Sequence, residues 1–342
     1  MRLHRKFLLP YCAVLAACQA QALTVVSFGG ANQAAQAQAY YQPFQRATGT
    51  RVLAGEYNGE MAKVKAMVEA RRVSWDVLEV EAPELARGCD EGLFERLDPA
   101  LAGGRAEVVD GALQPCGIGI FVWSNVLAYN ADKLKTAPRG WADFWDVKRY
   151  PGKRGMRRGA KSTLEIALLA DGAAAKDIYR ILATPAGVER AFKKLAQLKP
   201  HIQWWEAGAQ APQYLASGDV VMSSAYNGRI ASAQQEGRNL KIVWDGSLYD
   251  FVYWAVPKGA QEGVAARRFI AFASRPETQA AYSRQMAYGP INRKAMTLLA
   301  PGRQLELPTA PQNMKNAVKV DLEFWADHGE SLEQRFNAWA LR

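Results

Sequence analysis

The sequence predicts an α/β protein of two lobes, with mostly parallel sheets flanked by helices. Three observations point there. Short apolar runs alternate with amphipathic stretches of helical period, the pattern of strand–helix–strand units with right-handed crossovers. The chain has 342 residues, more than one hydrophobic core comfortably holds. No repeat, low-complexity tract or Gly/Ser-rich hinge divides it, so strands crossing between the lobes are expected to join them.

The elements follow in order. "LTVVSF" reads as the first strand and ends at Phe28, where Gly29 and Gly30 let backbone N–H groups approach a guest closely. "AAQAQAYYQPFQRATG" and "GEMAKVKAMVEARR" read as helices, and "WDVLEV" as the next strand. On that strand Glu79 and Glu81 share a face, because side chains alternate. "GIGIFVW" is a further strand, "AGVERAFKKLAQLKP" a helix closed by Pro200, and "DVVMSSA" and "KIVWDG" are strands again. Neither G-x-G-x-x-G nor G-x-x-x-x-G-K-[ST] occurs, which disfavours a nucleotide site.

The N-terminus points to export. "MRLHRK" is basic, an apolar run of about a dozen residues follows, and small residues stand at Ala20 and Ala22. A spanning helix needs about 20 residues, so residues 1–22 are expected to be a signal peptide cleaved after Ala22. Leu15-Ala16-Ala17-Cys18 also fits a lipoprotein signal. Only "CQAQA" would then separate lipid from the first strand, and the soluble periplasmic form is favoured. The formal charge is +10, and Arg2, Arg5 and Lys6 leave with the signal, so the mature chain carries about +7. Export argues against nucleic acid as the partner of that basic balance, and no basic helix or stacking platform stands out. Cys89 and Cys116 are the even pair left in an oxidising compartment, and a disulfide between them is expected.

Together these stretches resemble a known family. "VVSFGG" with "FQRATGTRV", "SWDVLEVEAPELARGCDEGLFERLD", "IFVWSNVLAYNADKL", "GWADFWDVKRYPGKRGMRRG", "STLEIALLADG", "YLASGDVVMSSAYNGR", "YWAVPKGA" and "AYGPINRKA" are similar to periplasmic solute-binding proteins of ABC importers, in the spermidine- and putrescine-binding branch. "WADFWD…YPGKRG" and "YNGR", with the cysteine pair, look nearest to a sub-branch that includes a γ-aminobutyrate receptor. The resemblance implies a type II two-lobe clamp, with residues 23–128 and 252–295 in one lobe and 129–251 and 296–342 in the other. It also implies a monomer that closes on a small solute and delivers it to a permease in the inner membrane, without cofactor or metal.

The resemblance makes Tyr226 the ligand-stacking aromatic. Phe28, Trp205, Phe251, Tyr253 and Tyr288 are further candidates for a ring-lined cleft. Polyamine receptors carry an acid three residues past that aromatic, where this chain has Arg229, and another at the position of Val252. Their acidic cluster before the second lobe's first long helix corresponds here to Arg157, Arg158 and Lys161. A polyammonium ion facing Arg229 without those acids would be poorly compensated. The expected ligand is therefore a short ω-amino acid such as γ-aminobutyrate or 5-aminovalerate. Arg229 would take its carboxylate, and Glu81 or Asp250 its amine. A polyamine is the alternative, followed by a purely anionic solute. A secreted hydrolase is disfavoured, since G-x-S-x-G and H-E-x-x-H are absent and His201 and His328 are remote in sequence from the cleft segments. A ferric-ion receptor would want paired tyrosines, and Tyr226 stands alone.

Overall fold

A computed structural model describes residues 22–341. The expected signal peptide, Cys18 included, falls outside them apart from Ala22. Eleven strands among the described residues form one hydrogen-bonded array. They are β1 (Leu23–Ser27), β2 (Val52–Glu56), β3 (Val77–Glu81), β4 (Leu113–Gln114), β5 (Gly117–Asn130), β6 (Arg154–Arg157), β7 (Ile202–Trp205), β8 (Met222–Tyr226), β9 (Leu240–Ala255), β10 (Gly289–Pro290) and β11 (Val318–Lys319). The order is β2-β1-β3-β9-β5-β8-β6-β7, with β4 and β10 on β5 and β11 on β9.

The expected parallel pairing holds at the two ends of the array. There β1 pairs with β2 and β3, and β6 with β7 and β8, all in parallel. The middle differs, because β5 runs antiparallel to β8 and β9, and β3 antiparallel to β9. The cause is length. At 14 and 16 residues, β5 and β9 each reach roughly 45–55 Å, enough to pass through both lobes in opposite directions. "GIGIFVW" and "KIVWDG" are only the first parts of these strands.

The helix expected at Ala34–Gly49 starts earlier, at Gly30, and changes register once. A wide π-type turn, Ala37–Tyr41, joins Gly30–Gln36 to Gln42–Thr48. Pro43 explains it, since proline has no N–H to send back to the carbonyl of Ala39. Gly49, in the left-handed conformation at φ 72°, ends the helix.

Two principal cores flank the middle of the array. The first gathers Val25, Tyr40, Phe44, Leu78, Val122, Phe251, Trp254 and Phe269. The second gathers Leu127, Phe144, Leu164, Phe192, Leu195, Leu248, Trp325 and Phe336. Membership changes between Val122 and Leu127 on β5 and between Leu248 and Phe251 on β9. Ala295, Leu299 and Leu307 pack on Ala280 of the Pro276–Gln285 helix and on Ala287 just after it, while the Leu322–Leu341 helix joins the second core. Cys89 and Cys116 are bonded, with Cα atoms 5.8 Å apart, tying the Ala82–Asp90 helix to the approach to β5.

Candidate ligand-binding site

A cavity of about 330 Å³ opens between the first core and the end of β8 with the helix that follows it. Its first wall begins where β1 ends. Phe28 lies flat against Tyr57, with ring centroids 5.3 Å apart and planes 14° from parallel. Gly29 and Gly30 follow with positive φ of 73° and 59°. A β-carbon at Gly29 would also lie 2.8 Å from the Glu56 carboxyl group, so only glycine suits this turn. The next helix then presents Asn32 to the cavity.

Glu79 holds this wall from behind. It is fully buried and accepts the Phe28 N–H at 3.1 Å, both Asn32 Nδ2 contacts at 3.0 and 2.9 Å, and Gln36 Nε2 at 3.1 Å. Burial pushes its carboxyl up to about 7, while these donors pull the other way. Two residues on, Glu81 ends β3 and reaches the cavity itself, open to solvent. The surrounding walls raise its pKa above the ordinary carboxylate range, and the Lys161 charge opposes them.

The floor comes from the crossing strands. Val252 of β9 lies between Glu81 of β3 and Phe121 of β5 in register. Trp123, two residues beyond Phe121, supplies the next ring.

The second wall is "YNGR". Tyr226 ends β8, and its ring meets Trp123 edge-on at 5.2 Å and Trp205 at 5.5 Å. Asn227 then begins the Asn227–Gln235 helix. Its Oδ1 accepts the Ser124 N–H at 2.9 Å, and its Nδ2 donates to the Ala287 carbonyl. One buried amide thus ties the helix start to β5 and to the segment carrying Tyr288. Tyr288 stacks on Phe121 at 4.6 Å, the planes 9° apart. Arg229 sits in the first helical turn, exposed and on the cavity wall. Among the described residues, Glu81 is the only carboxylate on that wall and Arg229 the only cation.

Seven sequence-predicted residues therefore line one cavity: Phe28, Gly29, Gly30, Glu81, Tyr226, Arg229 and Tyr288. The structure does not bring the other four to its wall. Phe251 and Tyr253 flank Val252 on β9, and alternation turns them to the opposite face, where the Tyr253 hydroxyl donates to the Gly111 carbonyl at 2.8 Å. Trp205 is wholly buried behind Tyr226. Asp250 shares the face of Val252 but lies under the floor, 1% exposed, with Lys161 Nζ 3.7 Å from its Oδ2. Burial lifts the Asp250 carboxyl to about 6, and Lys161 works against the rise.

Sequence reasoning missed Asn32, Phe121, Trp123, Gly228 and the tying role of Asn227. Phe121 and Trp123 were findable, since their spacing of two puts both rings on one face of a recognised strand. Asn227 carried no signal, because its partners are 103 and 60 residues away. A larger hollow, of about 650 Å³, lies beside Cys89, Cys116 and Lys319. It lacks the convergence of strand ends, glycine turn and helix start found at the smaller one.

A two-core array with a charged, ring-lined cavity at its crossing strands is the architecture of a solute clamp, and comparison agrees. The chain belongs to the bacterial extracellular solute-binding proteins, whose family model matches residues 39–303. It is 64% identical over 330 residues to the γ-aminobutyric acid-binding protein of Pseudomonas aeruginosa, covering 96% of this chain and 94% of that one. A solved γ-aminobutyrate receptor is 34% identical, with 94% and 98% coverage and a TM-score of 0.83. An ABC transporter substrate-binding protein from Bradyrhizobium japonicum is also 34% identical, with 93% and 99% coverage and a TM-score of 0.85.

Proposed function

We propose that this protein is the exported receptor of an ABC importer for a short ω-amino acid of the γ-aminobutyrate type, which it hands to a membrane permease. One observation carries the choice of ligand. The cavity wall offers one carboxylate, Glu81, and one guanidinium, Arg229, with the rings of Phe28, Trp123, Tyr226 and Tyr288 around them. That is a matched set for a zwitterion with an aliphatic body. A guanidinium donates two parallel hydrogen bonds to a carboxylate, and the helix start at Asn227 adds a favourable dipole. The amine goes to Glu81 on the cavity wall or to Asp250 under its floor, whose Oδ2 has no hydrogen-bond donor and lies 3.7 Å from Lys161 Nζ. The relationship to the Pseudomonas aeruginosa protein supports the same ligand class.

The remaining assignments follow from this role. Residues 23–128 and 252–295 form one lobe and 129–251 and 308–342 the other, with 296–307 packed on the first through Leu299 and Leu307, and the lobes close on the ligand by bending at the crossing strands. The mature protein works as a periplasmic monomer after cleavage behind Ala22. A melting-temperature screen tests the ligand class. γ-Aminobutyrate and 5-aminovalerate should each raise the Tm, and putrescine and butyrate should not. A shift with putrescine alone would overturn the proposal in favour of a polyamine receptor.

A further inference from the structure

The loop that follows β6 is held by the Leu322–Leu341 helix. It runs from Arg158 to Ser162 and leads into the Thr163–Ala170 helix. Glu333 meets two successive backbone groups of this loop. Its Oε1 accepts the Ala160 N–H at 2.9 Å and the Lys161 N–H at 3.2 Å. The fit is close, since a β-carbon at Gly159 would lie 3.3 Å from the same oxygen. A carboxylate is a stronger acceptor for backbone N–H groups than a neutral oxygen. On the same helix, Trp325 Nε1 donates to Glu165 Oε1 at 2.8 Å. The Leu322–Leu341 helix therefore grips both the loop and the helix it leads into.

The backbone of the loop needs such a hold. Ser162 is one of two non-glycine residues with positive φ among the described residues, at φ 71° and ψ −31°, and it is buried. Strain of this kind persists where surrounding contacts impose it, and it gathers at functional sites. The residues flanking the strained turn are charged and face the cleft. Lys161, just before Ser162, has its Nζ 3.7 Å from Asp250 Oδ2 under the cavity floor. Arg157, at the end of β6, donates its backbone N–H to Ser224 Oγ at 3.2 Å. The charges of Arg157 and Lys161 both oppose the rise in pKa that burial gives Glu81 and Tyr226 on the cavity wall. The loop thus sets charge around the ligand cavity, while Glu333 is not on the cavity wall.

Resting on the function proposed above, we infer that Glu333 is a positioning residue for ligand binding, which holds the Arg158–Ser162 loop in the strained form that aims Lys161 at the cavity floor. Without that carboxylate the loop relaxes, and binding must first restore the competent form. Apparent affinity then falls with the fraction of molecules that hold it.

The test pairs calorimetry with amide hydrogen exchange. Glu333→Ala should weaken γ-aminobutyrate binding by about tenfold and speed exchange at Ala160 and Lys161. Glu333→Gln, whose amide oxygen can accept the same two N–H groups, should stay within about threefold of wild type. Leu195→Ala, which removes a buried side chain of the second core, should lower the Tm and leave both readings unchanged. If Glu333→Ala does not fold, Glu333→Asp, one methylene short of the loop, should show the same two changes to a smaller degree. Affinity and exchange unmoved in these variants, a Gln variant as weak as the Ala variant, or an equal loss of affinity in Leu195→Ala would each overturn the inference. Failure of wild type to bind γ-aminobutyrate would instead sink the proposed function, while the exchange comparison would still decide whether Glu333 holds the loop.

Discussion

Gly228 lies directly against the ring of Tyr288: a β-carbon built there would be 2.6 Å from the ring's Cε1 and Cζ atoms. The contact joins the start of the Asn227–Gln235 helix to a residue stacked on the floor ring Phe121. Gly228→Ala must displace Tyr288, because real β-carbons do not approach so closely. The obstacle is a side-chain ring that borders the cavity and not backbone, so the ring can give way and the fold should survive with a small change in Tm. Ligand affinity should fall by about tenfold, the scale of a local overpacking penalty. Unchanged affinity in calorimetry would remove Tyr288 from the binding wall.

Asn227 makes the other tie across this junction. In Asn227→Ala the Ser124 N–H and the Ala287 carbonyl both lose their partner in a region closed to water. Leaving such groups unpaired costs about 1–3 kcal/mol. Urea denaturation of the variant should show that loss. A stability within a few tenths of wild type would mean that water or a rearranged side chain replaces the amide.

Stability should also depend on pH through Glu79. Its carboxyl is near 4.5 when unfolded and about 7 in the folded protein. Between those values the folded state keeps a proton that the unfolded state has released, so stability falls as pH rises from about 4.5 to 7 and then levels. Asp250, raised from 3.8 to about 6, acts in the same direction at lower pH. The Glu81 and Glu165 carboxyls are raised too, by burial, so the share of Glu79 between pH 6 and 7 is read by difference against a variant. Glu79→Gln should flatten the fall in Tm across that interval. An unaltered slope would show that burial does not protonate Glu79.

Much of this was legible in the sequence, and the exceptions have physical causes. Strand ends, the Gly29–Gly30 turn and the "YNGR" segment announce themselves through local chemistry, and all three meet at the cavity. Phe251 and Tyr253 misled because residue type alone does not tell which face of a strand a ring takes. Their neighbour Val252, the least conspicuous of the three, is the one at the floor. Asp250 needed its partner to be known, and Lys161 lies 89 residues away in sequence. The long antiparallel strands β5 and β9 were seen as fragments, because polar residues such as Ser124, Asn125 and Ser247 interrupt their apolar runs inside a buried core.

The central claim is that Arg229 receives the carboxylate of a zwitterionic ligand. Arg229→Lys keeps the charge and loses the planar pair of donors. The direct measurement is calorimetry of wild type and Arg229→Lys with γ-aminobutyrate and with butylamine, the amine that lacks the carboxylate. Removing one side of a paired charge typically weakens binding by 2–5 kcal/mol, and the milder lysine change should still cost γ-aminobutyrate about tenfold or more. Butylamine should bind weakly to both and be indifferent to the substitution. Equal losses for the two ligands, or none for γ-aminobutyrate, would contradict the account and leave Arg229 a bystander on the rim.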